Sequence, residues 1–145
     1  MTLTTTFLLL WLLFAPPPPA SLDQVKAEPN AERRARLAID FAVTSEKNAE
    51  AAYAKGDLEA TGTQLKIMAE SMELAKTSLA ASGRTPGRNP APYKYAEQRS
   101  QETLIRLRDL DQRMEADERD ILAAPRSRVQ EIHDEWFEGI MERKK

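Results

Sequence analysis

The sequence predicts an all-α fold, an up-and-down antiparallel bundle of three to four helices that follows a cleaved signal peptide. Three observations carry this expectation. From Ser21 onward apolar residues recur at three- and four-residue intervals, the period of a helix, and no stretch alternates as a strand does. The same part of the chain is rich in Ala, Leu, Glu, Lys, Arg and Gln, the residues that lose least on entering a helix. Ahead of it, Phe7 to Ala15 read FLLLWLLFA, an unbroken apolar run of nine residues. A membrane-crossing helix needs about 20, so the run matches the apolar centre of an export signal instead.

Residues 1–20 hold no charged side chain, and the TLTTT segment before the run lacks the usual Lys or Arg, so the terminal amine alone supplies positive charge. The prolines from Pro16 to Pro19 stop any helix, and Ala20 with Ser21 offers a pair of small residues for cleavage. The expected organisation is therefore a signal peptide over 1–20 and one helical bundle domain over 21–145. A chain of this length suits one core. The expected destination is the periplasm or the outside of the cell, with no stable membrane span.

Ser21-Leu-Asp-Gln24 has the form of a capping box that opens a short helix, ended by Pro29 and Asn30. A longer helix is expected over about 31–55, facing inward through Leu37, Ala38, Phe41, Ala42, Ser45, Ala49, Ala52 and Tyr53. Its alanines allow close approach of a neighbour. Gly56 followed by Asp57 punctuates the chain, since Gly adopts the left-handed conformation that ends a helix and Asp caps the next. The second long helix, about 58–82, places Leu58, Leu65, Met68, Met72, Ala75 and Leu79 on one stripe, and Gly83 ends it. Together these two read as an antiparallel pair. The junction, with Ala49, Ala52 and Tyr53 before it and Ala60 after it, also looks like the turn of a tetratricopeptide repeat, but one unit falls short of the three or so that a solenoid needs.

Residues 83–92, GRTPGRNPAP, read as a loop. The third long helix is expected from about Pro92 to Met114, burying Tyr95, Leu104, Leu107, Leu110 and Met114 in part. Glu102 with Arg106 and Asp109 with Arg113 stand four apart on its wet side in the favourable order. The last helix carries Ile121, Leu122, Val129, Ile132, Trp136, Ile140 and Met141. Pro125 interrupts this pattern, so the helix is kinked there or restarts at a cap on Ser127.

The stretch AERRARLAIDFAVTSEKNAEAAYAKGDLEATGTQLKIMAESMELAKTSL and the later RVQEIHDEWFEGIM resemble uncharacterised small exported bacterial helical-bundle proteins. The resemblance implies an exported bundle and no particular activity.

Composition excludes several chemistries. With 21 basic and 23 acidic side chains the net charge is −2, which argues against a general nucleic-acid binder. No cysteine means no disulfide, no thiolate metal site and no cysteine-linked lipid anchor. His133 is the single histidine, flanked by Glu131, Asp134 and Glu135. A di-iron bundle needs Glu three residues before each of two histidines, and here that position holds Gln130. His133 therefore reads as a surface or boundary residue, with no metal and no cofactor. Neither a Gly-x-Ser-x-Gly turn nor a phosphate-binding glycine loop is present. No enzyme is expected.

Two features point to partners. The segment 84–99, with Arg84, Arg88, Tyr93, Lys94 and Tyr95, holds no acid before Glu97 and reads as a basic, aromatic loop suited to an anionic envelope component. Trp136 and Phe137 are adjacent, so a helix sets them about 100° apart and one is left for a protein partner or self-association. The leading expectation is an exported, non-catalytic protein acting through protein contacts, as an interaction, scaffold or chaperone-like module. The alternative is a binding module for an anionic envelope component through the basic loop.

Overall fold

The computed structural model describes residues 17–142, and the signal-peptide expectation for 1–20 falls almost entirely outside them. Among the described residues five helices appear in order: α1 (Leu22–Lys26), α2 (Ala31–Ala54), α3 (Leu58–Ala81), α4 (Pro90–Arg113) and α5 (Asp120–Glu142). The described residues contain no strand, and among them no helix is long and apolar enough to cross a membrane.

Most ends form as local chemistry dictates. The Ser21 hydroxyl accepts from the Gln24 amide at 3.3 Å, while the Gln24 side chain accepts from the Ala20 amide at 2.7 Å. Asn30 caps α2 by accepting from the Arg33 amide at 2.8 Å, and Asp57 caps α3 by accepting from the Ala60 amide at 3.0 Å. Gly56, at φ +77°, makes the turn between α2 and α3 in a conformation that other residues resist.

Two proline expectations are refined: the start of α4 moves, and of the kink or restart expected at Pro125 the restart is excluded. α4 begins at Pro90, two residues before the expected start, so the link is 82–89 and the last three residues of the expected loop are helical. The first amides of a helix have no intrahelical acceptor, so Pro90 and Pro92 cost the first turn nothing, and the fixed φ of Pro90 favours it. α5 runs unbroken through Pro125, with no restart at Ser127. Proline this close to the helix start removes one hydrogen bond, to the Ile121 carbonyl, and leaves the later turns intact.

α2 and α3 share the largest interface, α4 packs on α5, and the two hairpins stack with α4 beside α2 and α5 beside α3. Contacts rise in step along α2 and α4: Tyr95 meets Asp40, Arg106 meets Glu46, and Arg113 meets Glu50. α3 and α5 likewise run together, Glu73 meeting Arg128 and Lys76 meeting Glu135. Neighbours are thus antiparallel within each hairpin and parallel between hairpins, because the 82–89 link crosses the diagonal of the bundle.

The core is built on Ile39, Leu65, Met68, Met72, Leu79, Leu107, Leu110, Leu122, Val129 and Ile132, all essentially inaccessible. Ala35, Ala38, Ala42, Ala49 and Ala75 are fully buried as well and let α2 and α3 approach closely. The expected inward face of α2 was too narrow. Leu37, Phe41 and Tyr53 lie at its margin, while Ile39, Val43 and Glu46 lie inside, because α2 touches both α3 and α4 and so buries a wider stripe. Leu58 and Met141, expected inside, are exposed. Arg106 and Arg113 turn from their expected partners on α4 toward Glu46 and Glu50 of α2, at 3.9 and 3.6 Å.

Candidate functional site: a cationic cleft where α2 and α4 begin

The first turns of α2 and α4 and the end of α3 enclose a half-open cleft of about 410 Å³. Ala35, Ile39 and Leu79 form its floor, Ala91 and Pro92 one wall, and Asn30, Glu32, Arg33, Arg36 and Tyr95 its polar side. Helical spacing explains the grouping. Arg33 and Arg36 stand one turn apart on α2, and the caps at Asn30 and Asn89 start both helices at the same end of the molecule. Both helices therefore bring the positive ends of their dipoles to the cleft.

Tyr95 organises the polar side. Its hydroxyl donates to Asp40, and the Arg36 guanidinium lies over its ring, 4.2 Å from the centroid. Burial first, and then the bond to Asp40, raise the Tyr95 pKa, so the phenol stays protonated. The nearby acids are mostly engaged. Arg84 pairs with Glu32 at 3.0 Å, Arg33 lies 3.7 Å from Glu28, and Arg99 pairs with Glu102 at 2.8 Å. Among the described residues Arg36, Arg88 and Lys94 have no carboxylate within ion-pair distance. Residues 28–40 and 84–99 together hold seven basic and four acidic side chains in a chain of net charge −2, so this face is positive against a negative whole.

Anchors fix the surroundings. Arg34 donates to the Ser78 hydroxyl at 2.9 Å and to the Glu28 carbonyl at 2.8 Å, tying the start of α2 to the end of α3. The Tyr93 hydroxyl donates to the Arg84 carbonyl at 2.8 Å, which holds the 82–89 link against α4. Pro86 lies so close to α5 that a Cβ on Gly139 would sit 3.0 Å from its Cγ.

The residues expected to meet a partner separate into three groups. Arg84, Arg88, Lys94 and Tyr95 lie on or beside the cationic face. Tyr93 is buried and serves the link. Trp136 belongs to the core at 4% exposure, whereas Phe137 is 46% exposed and stacks on the His133 ring at a centroid distance of 6.2 Å. Arg33 and Arg36 were missed. They are visible in the sequence as the ERRAR cluster just after Asn30, but only the packing of α4 on α2 brings them to Tyr95.

His133 is more buried than a surface residue. Nε2 lies 3.3 Å from Glu97 and Nδ1 3.1 Å from Asp134. Its bond, then one from Gln130, lowers the Asp134 pKa. The buried hydroxyls of Ser45, Thr61, Ser71 and Thr103 donate to backbone carbonyls four residues back along the chain. Among the described residues no group of three or more His, Asp or Glu side chains is placed to hold a metal ion. No family model, curated protein or solved structure matches this chain.

Proposed function

We propose that the protein is an exported, non-catalytic module that binds an anionic component of the cell envelope through the face built from the starts of α2 and α4 and the 82–89 link. The observation that carries this reading is the charge left over on this face: Arg36 at the open cleft, Arg88 in the link before α4 and Lys94 in the second turn of α4 lack carboxylate partners, while Arg33, Arg84 and Arg99 are paired. Uncompensated cations around a concavity raise the local concentration of anions and speed their capture. Export rests on the FLLLWLLFA run and the Ala20-Ser21 pair.

Co-sedimentation with phosphatidylglycerol vesicles, with phosphatidylcholine vesicles as the neutral reference, tests the binding. The protein should pellet with the anionic vesicles at low salt and be released at high salt. The double variant Arg88→Glu/Lys94→Glu should stay in the supernatant with an unchanged circular dichroism spectrum. Equal pelleting of the variant, or retention unaffected by salt, would overturn the reading. For export, the cell-envelope fraction should yield a chain beginning near Ser21; an uncut chain held in the cytoplasm contradicts it.

The protein-contact reading rests on a different surface. Phe137 and Met141 stand one turn apart on α5 and are 46% and 41% exposed, an apolar pair suited to a partner or a second copy. Capture that ignores salt and is lost in Phe137→Ser would favour it.

A further inference from the structure

Resting on the anion-binding reading, we infer that the cleft between α2 and α4 is a site for one small amphipathic anion, its carboxylate or phosphate head on Arg36 and its apolar body against Ile39, Leu79 and Pro92. Three features of the cleft support this. Its volume of about 410 Å³ lies in the range of small-molecule sites, about 300–1,000 Å³, which are largely apolar with a few placed polar groups. The floor of Ala35, Ile39 and Leu79 continues the bundle core, so an alkyl body seated there leaves water for carbon.

The head group has a prepared partner. Tyr95 supports one face of the Arg36 guanidinium, which holds it in place and leaves its N–H edges for the paired oxygens of a carboxylate or phosphate. Less conformational freedom is then lost on binding than with an unsupported arginine. The two acids one turn either side of Arg36 on α2 have other partners, Glu32 in Arg84 and Asp40 in the Tyr95 hydroxyl. Charge also decides between cavities. The larger groove between α3 and α5, about 710 Å³, sets Glu59, Glu70 and Asp120 against Lys66 and so repels an anion.

The probe is decanoate, titrated by calorimetry below its micellar concentration into the full chain, with decanol and decyltrimethylammonium as the headless and cationic comparisons. One decanoate per chain should bind, and both comparisons should bind at least about tenfold more weakly. Arg36→Gln removes the charge, and Ala91→Trp fills the cleft from an exposed position on the first turn of α4. Each should weaken decanoate by about tenfold or more. Lys66→Gln, in the separate groove between α3 and α5, should leave decanoate affinity within about threefold.

Decanoate affinity unchanged in Ala91→Trp, or decanol binding as tightly as decanoate, would overturn the inference. Vesicle binding with no decanoate binding would remove the cleft site and leave the anionic-surface reading in place. Decanoate binding with no vesicle binding would support the cleft site, identify a free amphiphile as its occupant, and remove the surface reading.

Discussion

Replacing Glu46 by glutamine should flatten the pH dependence of stability, and the size of the effect follows from where α2 puts this side chain. Glu46 sits between α2 and α4 with no exposed surface, and neither carboxylate oxygen has a hydrogen-bond partner. Burial, then Glu50 one turn along, push its pKa from 4.5 to about 8, and Arg106 and Lys47 pull the other way too weakly to prevent it. The folded protein therefore keeps a proton that the unfolded chain releases above pH 4.5. The stabilisation is complete below that pH and is lost as pH rises through about 8.

Each pH unit in that interval costs about 1.4 kcal/mol, so the ceiling is about 5 kcal/mol across it and about 3 kcal/mol between pH 5.5 and 8.5. Urea unfolding followed by circular dichroism at these two pH values measures the loss. The unmodified protein should lose about 3 kcal/mol and Glu46→Gln less than about 1 kcal/mol. Equal losses in both proteins would refute the burial argument, and greater stability of the unmodified protein at the higher pH would reverse its sign.

Further substitutions probe the packing of the bundle. Alanine in place of a helical glycine ordinarily gains up to about 1 kcal/mol, but at Gly139 the new Cβ meets Pro86. Gly139→Ala should therefore gain at least about 0.5 kcal/mol more in a Pro86→Ala background than alone, read from a double-mutant cycle. Tyr93→Phe removes the donor to the Arg84 carbonyl and should cost about 1 kcal/mol in urea unfolding. Leu107→Ala should cost about 2–5 kcal/mol. Ile105→Ala, two residues away and 42% exposed, should stay within about 0.5 kcal/mol by the same assay.

Features governed by neighbours in the chain were legible in the sequence. Gly56, Asp57 and Gly83 end and begin helices where expected, because a positive φ or an N-cap depends on two or three residues. Proline was harder to read, since Pro90 and Pro125 disturb a helix according to how far they lie from its start, and that start was itself unknown. Glu46 gave no warning: glutamate is a good helix former, and α2 shows it as one more charged residue until α4 covers it. The adjacency of Trp136 and Phe137 showed that one would face outward, and the packing of α5 decided which. The cleft was half legible. Arg84, Arg88, Lys94 and Tyr95 came from a run without acids, but Arg36 meets a ring 59 residues further along, a contact set by the alignment of α2 with α4.

A map of backbone amide shifts on adding decanoate or phosphatidylglycerol nanodiscs reads out whether the starts of α2 and α4 form an anion-binding face. The shifts should concentrate in residues 30–40 and 84–99 and be suppressed in Arg36→Gln. Shifts concentrated around Phe137 and Met141, or along the groove between α3 and α5, would contradict it.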